Sequence, residues 1–153
     1  MVQHLKENSG QHIDSTINSN NSITVNVITQ GSDDGKINGA DEFNGSGNYI
    51  LTLRSNLTNF VIEEWIKISS STTPPNSPPL AIGNNADWGF YSPIYGPTIQ
   101  GVCVIDGAQT SRTQYNNLQT DKWYYIAHRR SGKAFELYIN GTKESEVALL
   151  SLA

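Results

Sequence analysis

The chain has 153 residues, enough for one domain with a sizeable core. Charged residues make up 16%, below the roughly 25% of an average soluble domain, while Asn, Ser and Thr fill 44 positions, so amides and hydroxyls form its surface. The net charge is -4 with no cluster of Lys or Arg, which argues against nucleic acid as a partner; no apolar run approaches the roughly 18 residues of a membrane span, and the opening MVQHLKENSG has no signal-peptide core.

Gly, Pro, Asn and Ser punctuate the chain at short intervals, and β-branched and aromatic runs lie between them, the spacing of an all-β sandwich or barrel. In chain order the expected strands are Ser22 to Ile28, Tyr49 to Leu53, Asn59 to Ile68, Pro79 to Ile82, Trp88 to Tyr91, Thr98 to Ile105, Gln109 to Gln114, Lys122 to Arg129, Ala134 to Ile139 and Thr142 to Val147. The third is the clearest: Phe60, Ile62, Ile66 and Ile68 share one face, Val61, Glu63, Trp65 and Lys67 the other, and only Glu64 breaks the inward face. A buried ionised carboxylate costs several kcal/mol or titrates instead, so Glu64 is expected to have a partner or to lie at the sheet edge. Asn140-Gly141 supplies the positive φ angles of a two-residue hairpin, and Ser131-Gly132 marks a second turn, which together predict a three-strand meander. Ser69 to Pro79 contains four prolines and is expected to loop outside any ladder. The first forty residues are the most polar part and read on composition alone as a poorly ordered arm.

Single residues carry little chemistry. Cys103 cannot form an internal disulfide and reads as a small buried apolar group. The Asn-x-Ser/Thr triplets at Asn20, Asn44, Asn56 and Asn140 are expected by chance in so Asn-rich a chain. His4, His12 and His128 are scattered, with no nucleophile, zinc or phosphate-loop motif around them. Asp14 and Asp41 read as turn and strand-start residues.

From His4 to Gly141 the sequence resembles the laminin-G-like, concanavalin-A-like jelly-roll modules of prokaryotic surface proteins. Their motifs occur in order: His4-Leu5-Lys6-Glu7-Asn8-Ser9-Gly10 with Asp14-Ser15-Thr16; Gly35-Lys36-Ile37-Asn38-Gly39-Ala40 leading to Phe43-Asn44-Gly45-Ser46-Gly47-Asn48-Tyr49-Ile50; Phe60 to Lys67; Lys122-Trp123-Tyr124-Tyr125-Ile126-Ala127; and Glu136-Leu137-Tyr138-Ile139-Asn140-Gly141. The resemblance implies a single domain over 1–153, an all-β, two-sheet antiparallel jelly-roll sandwich of the concanavalin A-like lectin/glucanase type. It also turns the polar first forty residues into a strand and long loops of that sandwich.

The chain departs from the pattern in three places. It stops soon after the Asn140-Gly141 hairpin, so the family's closing strands are expected to be missing, leaving either a fragment of a longer protein or an open sheet edge that pairs with another chain. Glu64 stands where the family has a small residue. Asn48 replaces the Asp common before Tyr49, removing a cation ligand.

Retaining hydrolases on this fold need two carboxylates on one strand face, and adjacent Glu63 and Glu64 point to opposite faces, so no enzyme is expected. Calcium needs six to eight oxygens; the candidate ligands are Asp33, Asp34, Asp87 and Asp106, with Asn84 and Asn85 nearby, and their alternative role is turn formation. Asn84 to Pro97 gathers aromatic rings among Gly and Pro, a composition that suits sugar stacking. Asp87, Trp88, Tyr91 and Tyr95 are the expected ligand contacts there, although alternation assigns Trp88 and Phe90 to packing. Trp65, Trp123 and Tyr125 read as structural. The expected function is a non-catalytic binding or adhesion module that recognises a glycan or a protein at an extracellular surface. The alternative is a structural, appendage-like module that self-associates through an open edge.

Overall fold

The computed structural model describes residues 1–44, 46–52, 59–70, 81–83, 88–105 and 108–149. These form strands, turns and loops, with no helix among the described residues. All strand pairs are antiparallel, and the chain divides into two compact units, Met1–Arg54 and Ser55–Ala153.

In the first unit β1 (Thr24–Asn26) pairs with β4 (Tyr49–Leu51), and β2 (Thr29–Ser32) pairs with β3 (Ala40–Glu42). The expected single strand over Ser22 to Ile28 is therefore broken. The Ile23 amide donates to Leu51 O and the Ile28 amide to Glu42 O, so the chain changes partner between them.

Two-stranded ribbons are marginal in water by themselves, and here polar side chains knit the unit together. Asp14 Oδ1 accepts the backbone N–H groups of Val2 and Thr16 at 2.8 and 3.0 Å, while Oδ2 accepts the Thr16 hydroxyl at 2.8 Å and the Asn20 N–H at 2.9 Å. These bonds, the Val2 amide foremost, outweigh burial and hold the carboxyl well below the usual Asp range. Asp14 is thus a buried organising centre beyond the turn role read from sequence. Its contribution is present at neutral pH and is lost as pH falls below the ordinary carboxylate range. Asp14→Asn puts an amide donor where two N–H donors converge. Hydrogen exchange should then quicken at Thr16 and Asn20 and stay unchanged at Ile126 and Leu137; equal protection in the variant would refute the assignment.

A second knot joins distant segments. The buried His12 ring lies with Nδ1 2.9 Å from Glu7 Oε2 and Nε2 2.6 Å from Asp41 Oδ2, and Asp41 Oδ1 also accepts the Gly31 N–H. Burial works to raise the Glu7 carboxyl, but bonds from His12 and from backbone amides prevail and lower it. Gly31 has φ near 69°, and a Cβ there would lie 2.7 Å from Glu7 O, so the loop closes only around glycine.

The second unit contains two larger sheets. One has the order β10 (Ala108–Tyr115), β9 (Thr98–Ile105), β7 (Trp88–Tyr91), β6 (Ala81–Gly83), with β8 (Ile94–Tyr95) also on β9. The other has the order β13 (Thr142–Ala148), β12 (Ala134–Ile139), β11 (Trp123–Ser131), β5 (Phe60–Lys67). The predicted meander is present as β11, β12 and β13. Asn140 and Gly141 adopt φ of 51° and 84°, the positive values their hairpin requires.

The sheets face one another in a sandwich-like arrangement. Phe90 of β7 packs on His128 of β11 and Phe135 of β12, at ring separations of 4.8 and 5.9 Å. Apolar side chains form two groups, one around Ile99, Ile126, Leu137 and Ile139, the other around Phe90, Cys103 and Phe135. β5 alternates between half-buried and exposed along its whole length, as its sequence predicts. The Ser69 to Pro79 segment lies almost wholly outside the described residues.

Candidate functional site

The outer face of β5, β11 and β12 carries the residues that point away from the core. Cross-strand register sets Trp65 opposite Tyr125 and Glu63 opposite Ala127, which in turn faces Tyr138. Two shallow hollows lie here. One of about 320 Å³ is lined by Trp65, Tyr125, Asn140 and Gly141. The other, about 210 Å³, is lined by Val61, Glu63, Tyr125, Ala127, Arg129, Tyr138 and Gly141. Tyr125 and Gly141 border both, so they run together as one groove.

Small residues open this groove and aromatic ones wall it. Ala127 leaves a gap between Glu63 and Tyr138, and Gly141 adds no side chain at the hairpin tip. Trp65 is 41% exposed, with its ring 5.3 Å from that of Tyr125 at a 45° tilt. The hairpin is fastened to this platform: Asn140 Oδ1 accepts the Tyr125 N–H at 3.0 Å, and the Asn140 N–H donates to Tyr125 O. With its oxygen so engaged, the carboxamide keeps its N–H₂ as a donor.

Glu63 and Arg129 are the charged residues that line the groove. Partial burial raises the Tyr125 phenol, helped by its hydrogen bond to Glu63 and by the Glu63 charge. Arg129 Nη1 donates to Glu136 Oε2 at 3.0 Å, Tyr138 donates to the same oxygen, and Lys143 lies 3.6 Å from Glu136 Oε1.

Trp65 presents its ring on the outer face, the side on which the alternation of β5 places it, while Trp123 and Tyr125 are half-buried. Of the residues expected to contact a ligand, Tyr95 is 45% exposed on β8, Tyr91 is half-buried and Trp88 begins β7, whereas Asp87 lies outside the described residues. Phe90 is buried, in keeping with its assignment to packing. Asp33 and Asp34 are exposed in the turn after β2, and Asp106, Asn84 and Asn85 lie outside the described residues. Among the described residues no three His, Cys, Asp or Glu side chains converge as a metal site.

The sandwich interior holds a polar seam that sequence reading missed except at Glu64. Ser92 Oγ lies 3.0 Å from His128 Nε2, with both residues fully buried. Burial depresses the His128 imidazole to about 3, so the ring is neutral at physiological pH. Glu64, on the terminal strand of its sheet, has Oε1 shut from solvent with no partner among the described residues, and burial lifts its carboxyl to about 7. Burial pushes the Cys103 thiol up to about 11. A serine enclosed on all sides cannot meet a substrate, so the Ser92–His128 pair acts in packing.

No family model matches the chain. No curated protein and no solved structure matches it either.

Proposed function

We propose that this chain is a non-catalytic carbohydrate-binding module of the laminin-G-like, concanavalin A-like jelly-roll class, serving adhesion as part of a larger surface or secreted protein. Its two facing antiparallel sheets and the ordered motif series support the class. The observation that carries the function is the Trp65 ring, 41% exposed beside Tyr125 in a groove edged by Glu63, Arg129 and Asn140. An aromatic face offers the C–H side of a pyranose a flat apolar support, and the polar edge offers its hydroxyls hydrogen-bond partners. The reading is placed on this groove because Trp65, Tyr125, Asn140 and Gly141 line one hollow.

A glycan array followed by calorimetry and tryptophan fluorescence titration tests the reading. The expected result is binding to at least one oligosaccharide class, weakened tenfold or more by Trp65→Ala, with stability little changed because the ring is on the outer face. Repeating the titration after chelation of calcium decides whether a cation at Asp33, Asp34 or another rim oxygen contributes. No glycan bound, with or without calcium, would overturn the proposal.

A further inference from the structure

We propose that the groove selects neutral or amine-bearing pyranosides over acidic ones, with the Glu63 carboxylate as the selector; this rests on the glycan-binding reading above. Glu63 is exposed on the same face of β5 as Trp65, two residues away, so a ring stacked on the indole brings its equatorial substituents toward the carboxylate. Glu63 and Tyr125 line the same hollow, so the carboxylate borders the space beside the aromatic platform.

Each nearby cation has partners of its own: Lys67, on the far side of Trp65 on the same face, stands 5.3 Å from the Trp123 ring centroid. Arg129 donates to Glu136, and Lys143 lies between Glu136 and Glu146. No Lys or Arg among the described residues forms a salt bridge with Glu63.

An ionised carboxylate only accepts hydrogen bonds. It can receive sugar hydroxyls or an ammonium group, but a uronic acid carboxylate brings no donor and places like charge a few ångströms away. At that separation and partial exposure the repulsion amounts to roughly tenfold in affinity. Screening by salt should shrink it.

The test uses the intact chain and matched glucose, glucosamine and glucuronic acid oligosaccharides in the linkage picked out by the array, titrated by calorimetry at low and high salt. The glucuronic acid series should bind roughly tenfold more weakly than the glucose series. Glu63→Gln should remove that gap, read as the ratio of the two affinities within the variant, because a neutral amide no longer repels the uronate. Equal or tighter binding of the glucuronic acid series to the native chain, or a gap that persists in Glu63→Gln, overturns the selection. In either case, binding that Trp65→Ala abolishes leaves the glycan reading standing. Failure of every sugar to bind overturns both.

Discussion

Replacing Glu64 with valine is expected to stabilise the protein, by up to about 3 kcal/mol at pH 8 and by much less at pH 4.5. The figure follows from a carboxyl whose ordinary value of 4.5 is raised to about 7, at about 1.4 kcal/mol for each unit. The sign follows from proton linkage. Below pH 4.5 the side chain is protonated whether the chain is folded or unfolded, so it costs nothing through ionisation. As pH rises through the window from 4.5 to 7 the unfolded chain releases the proton first, and stability drains away until the carboxylate ionises in the folded state as well. His128 acts from the opposite side. Its ring, depressed from 6.5 to about 3, favours the folded state above pH 6.5, and that advantage is lost as pH falls toward 3. Urea unfolding of both proteins at pH 4.5, 6 and 8 checks this. A gain from Glu64→Val that is the same at every pH, or a loss at pH 8, would show that the carboxylate is not suffering from burial.

Phe135→Ala should cost about 3–5 kcal/mol, a large share of the roughly 5–15 kcal/mol that holds a typical domain folded. Phe135 is fully buried, meets Phe90 edge-on at 5.9 Å and lies 6.3 Å from the His128 ring, near parallel to it. Truncation removes the contact surface of both rings and leaves a void between two sheets whose strands are fixed by backbone ladders, so little collapse can fill it. Circular dichroism with urea titration measures the loss. A cost below 1 kcal/mol would mean that the aromatic group is not the centre of this part of the core. Trp65→Ala, on the outer face, provides the comparison, its cost held to about 0.5–1.5 kcal/mol for the lost pair with Tyr125 plus its partly buried area.

Strand β5 was legible because its alternation is nearly uninterrupted, and the Asn140-Gly141 hairpin because only certain residues accept its φ values. The same alternation already placed Trp65 opposite to Ile62 and Ile66. What alternation cannot place is the neighbouring ring, because Tyr125 belongs to a strand some sixty residues later in the chain. Pairing register, which no local pattern encodes, makes the two rings a platform. The first unit was harder still. His12 needs Asp41 from 29 residues away and Glu7 from 5, and polar residues that bury one another carry no hydrophobic period. Composition therefore described as a loose arm what long-range hydrogen bonds hold together.

Gly101 lies mid-strand in β9, where a Cβ would stand 2.6 Å from His128 Nδ1 and 2.7 Å from Thr113 Oγ1. Layers joined only by greasy contacts can slide past one another by a residue at modest cost, since one branched side chain replaces another. An imidazole seated in a notch that only glycine leaves, and bonded at its far end to Ser92, has one seat. This peg fixes the lateral alignment of the two layers.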